Sequence, residues 1–165
     1  MRGGERIRLV RARPFDYARW VSTSNHAEWT LRCDGGARGN PGPAAIGYVL
    51  LDPAGRELEA RGEYVGAATN NVAEYRALIA GLGAAARAGA DPLHVCLDSE
   101  LVVRQMTGEY RVKNAGLKPL HAQAREAAAK LRRVRFSAVR RAANARADRL
   151  VNEALDGVLG SESPR

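Results

Sequence analysis

Asp34, Glu74, Asp98 and Asp148 are the residues of this chain whose settings point to chemistry. Asp34 lies in CDGGARGNPG and Asp98 in VCLDSELVV, each directly after a short apolar run that reads as a strand. Glu74 lies in TNNVAEYRALIAGL and Asp148 in NARADRLVNEAL, and both stretches read as helices. Carboxylates gathered in one place repel each other unless a cation lies between them. Two divalent metal ions meet that need, with carboxylates as hard oxygen ligands, and metal pairs are a recurrent device for cutting phosphodiester bonds. In such a site Asp34 is the expected bridge between the ions, because the end of a central strand is a rigid mount.

Each acid also has a purely local explanation. Asp34 before Gly-Gly fits a turn. Asn71-x-x-Glu74 resembles a capping box, and Asp98 before Ser-Glu fits an N-cap. Asp148 fits a solvated helix position. The four local explanations together require two strand-end acids and two helical acids to occur independently. Acid–base hydrolysis by a carboxylate pair needs two acids with separated pKa values, not four, and leaves the charge of the chain unexplained.

The elements that must position these acids follow from periodicity. Strands are expected over 29–34, 45–52 and 57–65, joined by the turn-rich GGARGNPGP and by a tight turn at Asp52-Pro-Ala-Gly55, an antiparallel meander. The period then becomes helical: Val72, Tyr75, Leu78, Ile79 and Leu82 predict a helix over 71–88, stopped by Gly89 and Pro92. A fourth strand over 93–97, helices over 99–106 and 116–131, a fifth strand over 134–139 and a last helix over 144–159 complete the order. Asn144 is the expected N-cap of that last helix. Helical crossovers between strands make parallel neighbours, so the predicted fold is α/β, a mixed five-stranded sheet with helices on both faces. In such sheets sites form outside the carboxyl ends of parallel strands, where Asp34 and Asp98 would meet.

Of the 165 residues, 45% are apolar and 27% charged, an ordinary globular balance. The net charge of +8 is carried by 23 Arg and 3 Lys, which favours a polyanionic partner such as nucleic acid. Cys33 and Cys96, with no CxxC pair or Cys/His cluster, argue against a zinc site and read as buried packing residues, with a disulfide between them as the alternative. No stretch approaches the ~20 apolar residues of a membrane span, and no secretory signal is evident, so the expected location is cytoplasmic. Residues 1–28 read as a basic extension, disordered or a basic arm on phosphate, with a short helix or strand near Arg6 to Val10; residues 29–159 read as the catalytic domain and 160–165 as a tail.

The stretches DGGARGNPGPAAIGYVL, TNNVAEYRALIAGL, LDSELVVRQMTGEYRVKN and NARADRLVNEAL, in this order, resemble the type 1 ribonuclease H family, in its prokaryotic form without a basic protrusion. The resemblance implies a ribonuclease H-like fold and an endonuclease that hydrolyses the RNA strand of RNA/DNA hybrids, leaving 5′-phosphate and 3′-hydroxyl ends. It implies that Asp34, Glu74, Asp98 and Asp148 are the catalytic acids and hold two Mg²⁺ ions, with Mn²⁺ as a substitute. Asn40, Asn70 and Asn71 fall on positions that touch the hybrid, and Thr69 and Asn114 on a pocket for a phosphate of the DNA strand. A monomer without an obligate protein partner is expected.

Three positions depart from the family pattern. Ala67 stands where an Arg often joins the phosphate pocket. EYRVKNAGLKPL is too short for the basic protrusion, which leaves the N-terminal extension and Arg104, Arg111, Lys113 and Lys118 as replacements. VRRAANARAD holds no His before the last acid, and Arg141 is the expected assistant, contacting phosphate. His26, His94 and His121 read as structural or exposed. A non-catalytic hybrid- or double-stranded-RNA-binding module, and an integrase-like or exonuclease enzyme of the same superfamily, are the competing functions.

Overall fold

The computed structural model describes residues 27–160; the expectations for Arg6 to Val10 and for the rest of 1–26 and 161–165 lie outside the described residues. Five strands form one sheet: β1 (Trp29–Ala37), β2 (Gly42–Leu51), β3 (Glu57–Ala68), β4 (Leu93–Leu97) and β5 (Val134–Ala138). Four helices accompany them: α1 (Asn70–Ala88), α2 (Glu100–Thr107), α3 (Lys118–Ala129) and α4 (Ala145–Leu159), the last preceded by a 3₁₀ turn over Arg141–Asn144. The sheet order is β3-β2-β1-β4-β5. β1–β2 and β2–β3 are antiparallel, whereas β1–β4 and β4–β5 are parallel, which is the mixed sheet expected from the meander and the helical crossovers.

Alternation along the strands assigns the two faces. Leu31, Ile46, Tyr48, Leu50 and Val95 are buried in the main core with Tyr75, Leu78 and Leu82 of α1. Ala45 points the other way and packs with Val151 and Leu155 of α4. Gly47 and Gly62, paired across β2 and β3, seat α4 against the sheet: a Cβ on either would lie 2.6 Å from the carbonyl oxygen of Ala147 or Leu150 respectively. Glycine here permits the close approach of backbone to backbone.

The cysteines lie on opposite faces, since Cys33 faces α1 while Cys96 is in register with Arg32. Both are free, and the disulfide alternative is closed. His94 contacts the Ser137 hydroxyl at 2.9 Å and His121 the Gln105 carbonyl at 3.1 Å, so both are structural. Glu28, assigned to the extension, pairs with Arg135 of β5 at 2.6 Å. Among the described residues no helix is long and apolar enough to cross a membrane.

β1 continues three residues past its expected end. Gly35, Gly36 and Ala37 pair with Ile46, Ala45 and Ala44, so Asp34 sits inside the strand and not at its end. Composition marks DGGA as a turn, but the antiparallel partner keeps it extended, and tertiary pairing overrides local preference. The loop shrinks to 38–41.

Candidate active site

β1 and β4 pair in parallel up to Cys33 and Leu97, so Asp34 and Asp98 occupy the next step of the register side by side. α1 brings Glu74 from one face of the sheet, and α4 brings Asp148 from the other. The approach of α1 is set by Gly35, where a Cβ would lie 2.2 Å from the carbonyl carbon of Ala73. All four carboxylates line one recess of about 230 Å³, together with Arg38, Asn70, Arg141 and Asn152.

The local explanations for the acids are largely displaced by other residues. Thr69, not Asn71, caps α1, its hydroxyl accepting from the Val72 N–H at 3.3 Å, so no capping box involves Glu74. Ser99, not Asp98, caps α2 by accepting from the Val102 N–H at 3.3 Å. Asp34 is strand, not turn. Asp148 lies in the first turn of α4, where a negative charge is favoured by the helix dipole.

One oxygen from each of Asp34, Glu74 and Asp98 falls within 4.8 Å of the others. Asp148 stands outside that trio but beside Asp34. Asp34 and Glu74 are buried, at 5% and 8% exposure. Burial, and then the charges of Asp98 and Asp148, push the pKa of Asp34 up to about 7. Burial, and then the charges of Asp34 and Asp98, push Glu74 up to about 9. Glu74 Oε2 and Asp98 Oδ1 are buried without a hydrogen-bond donor. Buried acceptors of like charge, facing each other without donors, are a set of hard oxygen ligands, and they fit divalent cations such as Mg²⁺.

A second recess of about 490 Å³ adjoins the first through Asn70, and is lined by Asn40, Thr69, Asn71, Asn114 and Leu117 among others. Here the expected hybrid-contact and phosphate-pocket positions come together. Asn40 Oδ1 accepts from the Asn70 N–H at 3.1 Å, and Asn70 Oδ1 accepts from the Ala37 N–H at 2.9 Å, so loop 38–41 is tied to the start of α1. Asn114 Oδ1 accepts from the Gly116 N–H at 2.8 Å. Among the described residues no cation lines this recess. Ala67 pairs with Pro43 inside the ladder and supplies none.

Arg141 is 83% exposed at the mouth of the acidic recess, its Nε 3.9 Å from Asp98 Oδ2. Asn144 holds the expected N-cap position of α4, but its side chain makes no capping hydrogen bond. It is fully buried, and its Nδ2 donates to the Cys33 carbonyl at 2.8 Å, because the 3₁₀ turn carries it under β1 before α4 starts. Arg32 holds the same turn, donating to the Ala143 carbonyl at 2.7 Å. Arg38 forms an ion pair with Asp156 at 2.6 Å that spans the rim, and nothing in its sequence setting marks it, although it stands two residues before Asn40. Only its placement beside α4 distinguishes it from the other surface arginines.

Comparison with known proteins agrees with this architecture. The family model described as "Reverse transcriptase-like" matches residues 32–154. The "Bifunctional protein Rv2228c" of Mycobacterium tuberculosis is 46% identical over 132 residues, 79% of this chain and 36% of that protein. The chain therefore spans about a third of that relative. The solved N-terminal RNase H domain of rv2228c, a fusion with maltose binding protein, superposes with a TM-score of 0.79 at 44% identity, covering 84% of this chain and all of the other. A "Ribonuclease HI" of Halobacterium salinarum is 46% identical over 123 residues, 74% of this chain and 62% of that protein. LC11-RNase H1, solved in complex with an RNA/DNA hybrid, matches with a TM-score of 0.75 at 44% identity, covering 80% of this chain and 99% of the other.

Proposed function

The chain belongs to the ribonuclease H family, and from that premise we propose that it is an endonuclease hydrolysing the RNA strand of RNA/DNA hybrids with the help of two divalent metal ions. The observation that carries the reading is the convergence of Asp34, Glu74, Asp98 and Asp148 on one recess, joined through Asn70 to a recess lined by Asn40, Asn71 and Asn114. A family relative bound to such a hybrid supports the choice of substrate.

Asp34, Glu74, Asp98 and Asp148 would hold the ions, with Asp34 both in the close trio and beside Asp148. Two bound Mg²⁺ ions supply an activated water and positive charge against the oxygens of the reacting phosphate. The chain's own groups do the rest. Asn40 and Asn70 fix the loop beside Asp34, so that main-chain and amide groups meet the minor groove where 2′-hydroxyls mark RNA. Thr69 and Asn114 receive a phosphate of the DNA strand. Arg141 draws the scissile strand inward from the mouth of the recess. Water attacks phosphorus in line and the bond to the 3′ oxygen breaks, leaving 5′-phosphate and 3′-hydroxyl ends.

The test is cleavage by the purified chain of hybrid, DNA duplex and RNA duplex, with Mg²⁺ or Mn²⁺. The RNA strand of the hybrid should be cut, and its new 5′ ends should carry phosphate. Metal-independent binding to hybrid with no cleavage would replace the enzyme by a binding module.

A further inference from the structure

We propose that Arg38 is held by Asp156 in the free protein and is released to a phosphate of the RNA strand when the hybrid binds, so that Asp156 competes with the substrate for it; this rests on the hybrid-cleaving reading above. Among the described residues, Arg38 and Arg141 are the cations that line the acidic recess. They stand on different walls. Arg141 comes from the 3₁₀ turn and faces Asp98, with its Nε 3.9 Å from Oδ2. Arg38 comes from the loop after β1, and its Nη2 lies 2.6 Å from Asp156 Oδ1. Asp156 stands about two turns beyond Asp148 on α4, or about 12 Å along the helix. A strand whose reacting phosphate meets the acids thus has one arginine beside that phosphate and a second further along its path.

The pairing with Asp156 is what gives the second arginine its meaning. Asn152 and Leu155 line the recess, whereas Asp156 is outside its wall. The guanidinium is therefore drawn to the outer edge, and among the described residues its ion pair is with Asp156 and with none of the four acids beside it. Asp156 is also poorly placed for the helix that carries it. It lies in the last turn of α4, which holds no basic residue, and the helix dipole disfavours an acid there. The exchange itself is easy. Both partners are exposed, Arg38 at 41% and Asp156 at 67%, so the pair is screened and weak. It uses one nitrogen and one oxygen, whereas a phosphate can meet two nitrogens of the guanidinium fork at once. Only the side chain has to move. The Arg38 N–H donates to the Pro43 carbonyl at 2.8 Å, and Asn40 and Asn70 tie the rest of the loop to α1.

The experiment measures hybrid affinity in EDTA across salt concentrations, and KM for hybrid cleavage in Mg²⁺. It compares the parent with Arg38→Ala, Arg38→Lys, Asp156→Asn, the double variant Arg38→Ala/Asp156→Asn, and the control Glu153→Gln, which removes an exposed acid one turn away on α4. Arg38→Ala should weaken binding by about tenfold and make the plot of log affinity against log salt shallower by about 0.9. Arg38→Lys keeps the charge and should keep the slope. Asp156→Asn should tighten binding, by up to about fivefold, and lower KM to match. That gain should exceed the effect of Glu153→Gln and vanish in the double variant. A pair that merely braced the loop against α4 would behave otherwise, and Asp156→Asn would then weaken binding as Arg38→Ala does. That result, no change in either single variant, or a gain that persists in the double variant overturns the inference. A parent that binds hybrid without cleaving it overturns the proposed activity instead, and the EDTA arm still decides the role of Arg38. A parent that binds no hybrid at the lowest salt overturns both.

Discussion

Asn144 donates from Nδ2 to the main-chain carbonyl of Cys33 at 2.8 Å, one residue before Asp34 and one helical turn before Asp148. The bond joins the strand carrying one acid to the helix carrying another. Asn144→Ala would leave the Cys33 carbonyl buried and unpaired, at a cost of about 1–3 kcal/mol. Thermal unfolding should show it as a Tm drop of about 2–4 °C per kcal/mol. An unchanged Tm would mean that the carbonyl finds another donor.

Asp34 and Glu74 give the metal-free protein a pH dependence of definite sign. Both bind protons more tightly folded than unfolded. Their stabilising contribution is complete below their ordinary values of 3.8 and 4.5, and is lost as pH climbs through about 7 for Asp34 and about 9 for Glu74. His94, held below 6.5 by burial, acts in the opposite sense only up to that value. Between about pH 7 and about pH 9, Tm in EDTA should therefore fall, and Mg²⁺ should restore it by more at the higher pH, where the ligands are deprotonated. A Tm in EDTA that is flat across this window would contradict the like-charge arrangement.

Asp34→Asn separates stability from activity. Removing a buried like charge should raise the metal-free Tm above pH 7, because the amide needs no ionisation. If Asp34 holds metal as proposed, the same change removes a ligand, and losing several kcal/mol of transition-state stabilisation corresponds to a fall in cleavage on the order of 10³-fold. A variant that cleaves as fast as the parent would remove Asp34 from the reaction.

Gly35 and Gly36 are neighbours with opposite tolerances. A Cβ at Gly35 meets the Ala73 carbonyl carbon at 2.2 Å and the Glu74 nitrogen at 2.5 Å, both main chain, whereas a Cβ at Gly36 meets only Val151 Cγ1 at 3.7 Å. Gly35→Ala should therefore cost more than about 3 kcal/mol or prevent folding, while Gly36→Ala should stay within about 1 kcal/mol. Chemical denaturation of the two variants side by side measures the difference, and equal stabilities would refute the close approach of α1.

Much of this is legible in the sequence because apolar periodicity and local chemistry act over short distances. Leu31 and Cys33 alternate with Arg32, and Tyr75, Leu78 and Leu82 repeat at helical spacing, so strand and helix are readable residue by residue. The four acids are readable as motifs. Their meeting is not, because it depends on the pairing of Cys33 with Leu97, a register fixed by the parallel ladder. The place of Asp34 inside a strand is hidden for the same reason: Gly35 and Gly36 favour a turn in isolation and become strand only beside Ile46 and Ala45. Asn144 has the composition of a cap, and only the 3₁₀ turn before α4 reveals it as a bond to β1. Capping by Thr69 and Ser99, rather than by Asn71 and Asp98, is a matter of one or two residues, which helix signals in a sequence rarely resolve.

The seating of Gly35 against Ala73 bears on which core changes the acidic recess tolerates. Asp34 and Glu74 inherit their separation from two main chains in contact, not from the shapes of the side chains packed around them. Exchanging one apolar side chain for another of similar volume deeper in the interior should therefore leave the spacing of these two carboxylates as it is.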